Sequence, residues 1–257
     1  MLKANFINDN TEIIIPDPKI IEQFSSRVNN EHMFRRIISF LISNNIIKNN
    51  IIDSGAWIGE NTLPWAKKLT NSLVYAIEPS INNCDFIECL AISNDIDNIR
   101  TIAIALSDVE EILSTNDHIN DCELNNNDDG ILKVMSIPLD KLYSTNKIDN
   151  IGFIHVDVEG MEFKVLKGCK NIINEFRPII AFEQYLHSND YNDVINYLKK
   201  MNYCVTMINE VLASRKKDCR NFIAYPHENV NMKFFRNIDN HLKEYYPEYN
   251  DVFLRFF

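Results

Sequence analysis

The sequence predicts an α/β protein: a mostly parallel sheet with helices on both faces, closed at its last edge by an antiparallel hairpin. Three observations carry this. Short apolar runs alternate with amphipathic stretches over residues 46–226, the order that βαβ units produce. Each run stops at glycine or acid, as at Asp53-Ser54-Gly55, Glu78-Pro79, Ser107-Asp108 and Asp157-Val158-Glu159-Gly160. The last two runs, 203–208 and 220–225, are joined by only about a dozen residues without helical spacing, so they read as antiparallel neighbours.

The elements follow in order. Residues 18–47 space their apolar positions by threes and fours (Ile20, Ile21, Phe24, Val28, Phe34, Ile37, Ile38, Leu41), which predicts helix with breaks near Asn29-Asn30. Ile46-Ile47 and Ile51-Ile52 make a buried strand ending at Asp53. Then come a helix at 61–70, a strand at 73–77, a helix at 80–94, a strand at 99–105, a short strand at 132–137 and a strand at 151–156. A helix at 161–175, a strand at 178–183 and a helix at 190–201 complete the alternation. Residues 114–130 are rich in Asn and Asp and read as a mobile surface loop. Residues 227–257 are rich in aromatics, ending Phe253-Leu254-Arg255-Phe256-Phe257. Left exposed they would aggregate, so they are expected to pack on the body or on a partner subunit, which makes a homodimer one expectation. The chain thus divides into an N-terminal helical region packed on the core (1–45), an α/β domain (46–226) and an aromatic extension (227–257).

Composition excludes several classes. With 46% hydrophobic and 24% charged residues, the chain is neither disordered, collagen-like nor a coiled coil. Its 257 residues bury enough surface to fold without disulfides or a structural metal. Asp and Glu outnumber Lys and Arg by 36 to 26, a net charge of −10. No basic face is evident, so nucleic acid and anionic membrane are not expected as partners. The six cysteines (84, 89, 122, 169, 204 and 219) lack C-x-x-C spacing and read as reduced thiols. The N-terminal residues have no signal-peptide pattern, and no uncharged stretch approaches the roughly 20 residues of a membrane span. A cytoplasmic location is expected, host cytoplasm if the source is a virus.

In open α/β sheets ligands bind outside the carboxyl ends of the strands, where strand order reverses. Two of only six glycines, Gly55 and Gly59, fall in the turn Asp53-Ser54-Gly55-Ala56-Trp57-Ile58-Gly59-Glu60-Asn61. Glycine there permits a tight turn and close backbone approach to a ligand, and the next helix would aim free amides at it. Glu78 follows at the spacing at which a carboxylate accepts from both ribose hydroxyls. Asp108 could accept from an exocyclic amine such as that of adenine. Asp157 and Glu159 flank the start of a glycine turn, and two acids at a strand end seldom serve packing alone.

These segments, with Ile137-Pro138-Leu139-Asp140, His155-Val156-Asp157-Val158-Glu159-Gly160-Met161-Glu162, Val165-Leu166-Lys167-Gly168, Arg177-Pro178 and Phe182-Glu183, resemble the FkbM family of S-adenosylmethionine (SAM) dependent methyltransferases. Two departures are His155, where the family usually has Lys, and the acidic stretch 114–130. The resemblance implies a seven-stranded class I methyltransferase (Rossmann-like) sheet with an antiparallel last strand. It implies SAM held by Asp53, Gly55, Ala56, Gly59, Asn61, Glu78, Pro79, Ser107, Asp108 and Asp157, and methylation of a hydroxyl on a sugar, glycan or small natural product. Asp157 stands where a general base or acceptor-orienting group would, with His155, Glu159, Glu183 and His187 as rivals, of which Glu183 and His187 are the expected acceptor-binding residues. His155 shares a strand face with Asp157, and a hydrogen-bonded core histidine is the competing reading. No metal is expected, because Asp157 and Glu159 alone offer too few oxygens and no third carboxylate is evident. Two other readings remain open: a non-catalytic module that keeps the fold and binds SAM or a partner, and an NAD-dependent oxidoreductase, whose G-x-G-x-x-G is broken here by Trp57.

Overall fold

A computed structural model describes residues 2–6, 11–16, 31–69, 71–115, 132–188, 190–210, 218–249 and 251–257. The chain begins with an antiparallel ribbon of β1 (Leu2–Phe6) and β2 (Thr11–Ile15), so strand replaces the helix expected in the first part of the N-terminal region. Helix α1 (His32–Ser43) follows; residues 18–30 of the expected helix lie outside the described residues.

The body then alternates as its periodicity requires: β3 (Asn50–Ser54), α2 (Thr62–Lys68), β4 (Val74–Ile77), α3 (Ile81–Ser93) and β5 (Ile99–Ile102). A side sheet is made by β6 (Ala105–Leu106), β7 (Glu111–Thr115) and β8 (Leu132–Ile137). The second half runs α4 (Leu139–Ser144), β9 (Ile151–Val156), α5 (Glu162–Lys167), α6 (Lys170–Phe176), β10 (Ile179–Tyr185), α7 (Tyr191–Lys200), β11 (Tyr203–Ile208) and β12 (Cys219–Pro226). Helix α8 (Met232–Tyr245) and β13 (Leu254–Phe256) end the chain.

The main sheet has eight strands in the order β13-β11-β12-β10-β9-β3-β4-β5. Strands β10, β9, β3, β4 and β5 are parallel, and β12 runs against both β10 and β11. The antiparallel hairpin is therefore where the short connection put it. The count of seven is corrected to eight, because the aromatic extension pairs Leu254–Phe256 with β11 and adds an edge strand. Four boundaries also differ. Ile46 and Ile47, expected in the first strand, lie in the turn after α1, and β3 starts only at Asn50. The expected strand 99–105 ends at Ile102, and Ala105–Leu106 leaves for the side sheet. The helix expected at 161–175 is broken at Gly168, where an added Cβ would lie 2.1 Å from the Ser107 carbonyl oxygen. Ser114 and Thr115 belong to β7 rather than a loop, and residues 116–131 lie outside the described residues.

Alternation along the central strands separates two cores. Ile51, Phe153, Ala181 and Ile223 meet Phe34, Ile37 and Leu41 of α1, Leu63 and Trp65 of α2, and Phe235 and Ile238 of α8. Ile52, Ile154, Val156 and Phe182 meet Leu142, Val165, Leu166, Ile172, Val194 and Leu198 on the other face. A sheet covered on both faces explains why β3 and β4 are buried at every position. Among the described residues, no helix is long and apolar enough to cross a membrane. Strand order reverses at β3, which pairs with β4 on one side and β9 on the other, and the crevice above that point collects the candidate residues.

Candidate active site

The turn after β3 is bent by three left-handed residues, Gly55 (φ 81°), Trp57 (φ 46°) and Gly59 (φ 82°). A Cβ on Gly55 would sit 1.8 Å from the backbone oxygen of Asp157, so this turn and the one after β9 touch, and only glycine fits between them. The amides of Gly55 and Ala56 donate to the Ile77 carbonyl at 2.9 and 3.3 Å; Ala56 itself is buried. Asp53 works from below. Its Oδ1 is 2.8 Å from His155 Nδ1 and its Oδ2 accepts from Thr62 Oγ1 at 2.5 Å, tying the end of β3 to the first residue of α2. His155 is enclosed by Phe34, stacked at 5.4 Å, and Trp65, edge-on at 5.3 Å. Burial pushes its imidazole pKa down, but the Asp53 hydrogen bond and charge outweigh this and leave it raised.

Glu78, at the end of β4, is buried. Its Oε2 accepts from Trp57 N at 2.9 Å, and its Oε1 from Ser80 N at 2.9 Å and Asn83 Nδ2 at 3.2 Å. The carboxylate thus joins the glycine turn to the start of α3, where Ser80 caps the helix and Pro79 is half-buried. Burial raises its pKa, against those three donors. Ser107 is buried and its hydroxyl reaches Asp108 at 3.4 Å. Asp108 is ion-paired with Lys167 at 2.5 Å; burial pushes its pKa up, and the Lys167 bond and charge more than offset that. Asn61 is buried, and its Oδ1 accepts from Arg35 Nη1 at 2.8 Å.

Across the crevice lie the acids. Val156 pairs with Phe182, and Glu183 pairs with Asn221, so one step further Asp157 and Glu183 stand side by side on the face that carries His155. Asp157, Glu159 and Glu183 each bring an oxygen within 4.8 Å of the others. The third carboxylate that the sequence did not reveal is therefore Glu183, and three oxygens so grouped can take a divalent cation. Tyr185 Oη donates to Glu159 Oε2 at 3.2 Å. The turn is left-handed at Glu159 (φ 52°) and Gly160 (φ 99°), and Glu162 Oε1 accepts from Val158 N at 3.3 Å and Gly160 N at 3.0 Å. Burial pushes the Glu162 pKa up to about 7. His187 is exposed, with its ring 5.8 Å from that of Tyr185.

Sequence reasoning missed Tyr185, Glu162 and Arg35. Tyr185 was within reach, lying two positions beyond Glu183 on the same strand face. Glu162 lay inside a quoted motif without a role, and nothing along the chain links Arg35 to a turn some twenty-five residues later.

The methyltransferase FkbM domain model matches residues 53–205, well over half of the chain. The chain belongs to the FkbM methyltransferase domain family. It is similar to the structure of methyltransferase FkbM from Methylobacillus flagellatus KT, with a TM-score of 0.52 and 22% identity, over 68% of this chain and 43% of that one. The chain thus spans less than half of that structure's length. It is also similar to a Staphylococcus aureus structure of the caffeoyl-CoA O-methyltransferase type, with a TM-score of 0.50 and 12% identity, over 80% of this chain and 91% of that one. Among curated proteins none matches. At these identities the structural likeness speaks for the fold, which is that of the class I methyltransferases. The family match begins at Asp53 and ends at Val205, so α1, β12, α8 and β13 lie outside it.

Proposed function

We propose that this chain is a SAM-dependent O-methyltransferase acting on a hydroxyl of a sugar, glycan or small natural product. The observation that carries the reading is the complementarity between the crevice and the cofactor. SAM offers hydrogen-bond donors (the ribose diol and the adenine amine), and the strand ends on the cofactor side of the reversal point offer carboxylates, Glu78 and Asp108. Two carboxylate oxygens carry about four lone-pair sites, so Glu78 keeps capacity beyond its three donors. When bound, SAM supplies a methyl group on a positively charged sulfur.

The chain's residues do the rest. The turn from Gly55 to Gly59 and Glu78 hold the cofactor. Asp157 joins the two halves, since its backbone meets Gly55 while its side chain joins Glu159 and Glu183. Those acids and the Tyr185 hydroxyl can orient a polyhydroxylated acceptor and bring its oxygen to the methyl group. We assign the proton to Asp157 as general base. The enclosure of His155 and its bond to Asp53 support a holding role for the histidine. Glu183 and Glu159 serve the acceptor, and exposed His187 stands at its outer margin. The chain's net charge of −10 favours a neutral or cationic acceptor over a polyanion, and the reading places the work in the cytoplasm.

The test is incubation with methyl-labelled SAM and fractionated glycans and hydroxylated metabolites. The expected product carries label in an alkali-stable methyl ether, and Asp157→Asn abolishes it. Label in an alkali-labile ester or on nitrogen, or full turnover by Asp157→Asn, overturns the reading.

A further inference from the structure

We infer that Arg35, on the helix that precedes the family's domain, is a positioning residue of the cofactor site, holding the second half of the glycine turn in place. The inference rests on the SAM reading above. Arg35 is buried on α1, and its guanidinium meets four groups on two segments. Nη1 donates to the Glu60 carbonyl at 3.2 Å and to Asn61 Oδ1 at 2.8 Å. Nη2 lies 3.3 Å from Glu60 Oε2 and 3.5 Å from Glu31 Oε2. Glu60 and Asn61 directly follow Gly59 and lead into α2.

That half of the turn needs an outside anchor. Its backbone is left-handed at Gly59, the helix after it is only seven residues long, and Asn61 at its N-cap makes no side-chain capping bond. The Asn61 amide oxygen, which would otherwise cap, is committed to Arg35.

The base from which Arg35 reaches is itself fixed. The amides of Met33 and Phe34 donate to the Glu210 carboxylate at 3.0 to 3.3 Å. Glu31, left-handed at φ 56°, accepts from Asn221 Nδ2 at 2.8 Å, and Asn221 is the cross-strand neighbour of Glu183. The N-terminal end of α1 therefore joins the acceptor-side strands to the cofactor turn, and Arg35 reaches that turn. A planar fork of five donors can serve a carbonyl, an amide and two carboxylates together, whereas the single ammonium of lysine cannot.

The experiment compares the wild-type full chain with Arg35→Lys, Arg35→Met and the charge-compensated double variant Arg35→Met/Glu60→Gln. Each is titrated with SAM by calorimetry, with a melting curve and amide hydrogen exchange of residues 55–61 measured beside it. Arg35→Lys is expected to bind SAM about tenfold more weakly, the scale of a lost charge-assisted fork, at near wild-type melting temperature and with faster exchange confined to the turn. The double variant avoids leaving half-buried Glu60 without its countercharge and is expected to show the same loss if the single Met variant fails to fold. Folded variants that bind SAM with wild-type affinity and show unchanged turn exchange overturn the inference. Full affinity in Arg35→Lys with loss in the Met variants overturns it too, because charge alone would then suffice. If the wild type binds no SAM, the cofactor reading is what fails, and exchange of the turn alone decides the role of Arg35.

Discussion

Replacing Glu78 by Gln separates what this carboxylate does for the turn from what it does for the cofactor. Three donors face it, Trp57 N on one oxygen and Ser80 N and Asn83 Nδ2 on the other. A carboxamide has one oxygen, so whichever way it turns, its NH2 confronts at least one of those donors. The side chain keeps its volume, so no cavity enters the comparison. Loss of a charge-assisted bond to the ribose diol is worth about 1.5–3 kcal/mol, and at about 1.4 kcal/mol per tenfold this is a SAM Kd roughly 10–150 times weaker. The lost bond to Trp57 acts on the free protein as well, and at about 2–4 °C per kcal/mol for a chain of this size it should lower Tm by several degrees. Titration calorimetry with SAM at a temperature well below both melting points gives the first number, and a thermal scan the second. A folded Glu78→Gln variant with wild-type affinity would refute the assignment of this acid to the ribose.

Four further outcomes follow from the same geometry. Asp157→Asn should lower kcat by at least a hundredfold while leaving SAM affinity nearly intact, the signature of a group used mainly in the transition state; equal loss in both would make it a cofactor ligand. Gly55→Ala should abolish SAM binding and lower Tm strongly, since the new Cβ meets the Asp157 carbonyl at 1.8 Å. Gly160→Ala, at φ 99° but with nothing within 4 Å, should cost only about 1–2 kcal/mol, so equal melting temperatures for the two would contradict the contact argument. Burial holds the pKa of both Glu162 and Glu210 at about 7, above their ordinary 4.5. A carboxyl raised in the folded state contributes stability that is full below about pH 4.5 and lost as pH rises through about 7. Glu162→Gln and Glu210→Gln should therefore each flatten the fall in Tm between pH 5 and 8, and a slope like the wild type's in both would remove these groups from the account.

Much of this architecture was legible, and the reasons are particular. β3, β4 and β9 stand out because both sheet faces are covered, so Ile51, Ile52, Val74 and Ile154 are all buried and the runs read as unbroken. The glycine turn was legible because only a backbone with positive φ makes that bend. What failed was set by contacts distant in sequence. The break at Gly168 answers to the Ser107 carbonyl, and no local pattern announces it. β13 is three residues long and earns its place only by pairing with β11. The apolar run through Ile102 and Ala105 looked continuous, yet the chain changes sheets inside it. Within the site, the acids were legible as types and positions but not in their partners. Asp53 reads as a cofactor ligand, but no sequence pattern announces that its two oxygens also meet His155 and Thr62. Glu183 stands out in the sequence as a rival base or acceptor contact, and only the register of β9 and β10 sets it beside Asp157.

The claim at the centre of the account is that the crevice between β3 and β9 binds SAM, and direct calorimetric titration of the full chain tests it. One SAM is expected to bind per chain, with S-adenosylhomocysteine competing for the same site and NADH giving no heat. No heat with SAM, or saturable binding of NADH in its place, would contradict it.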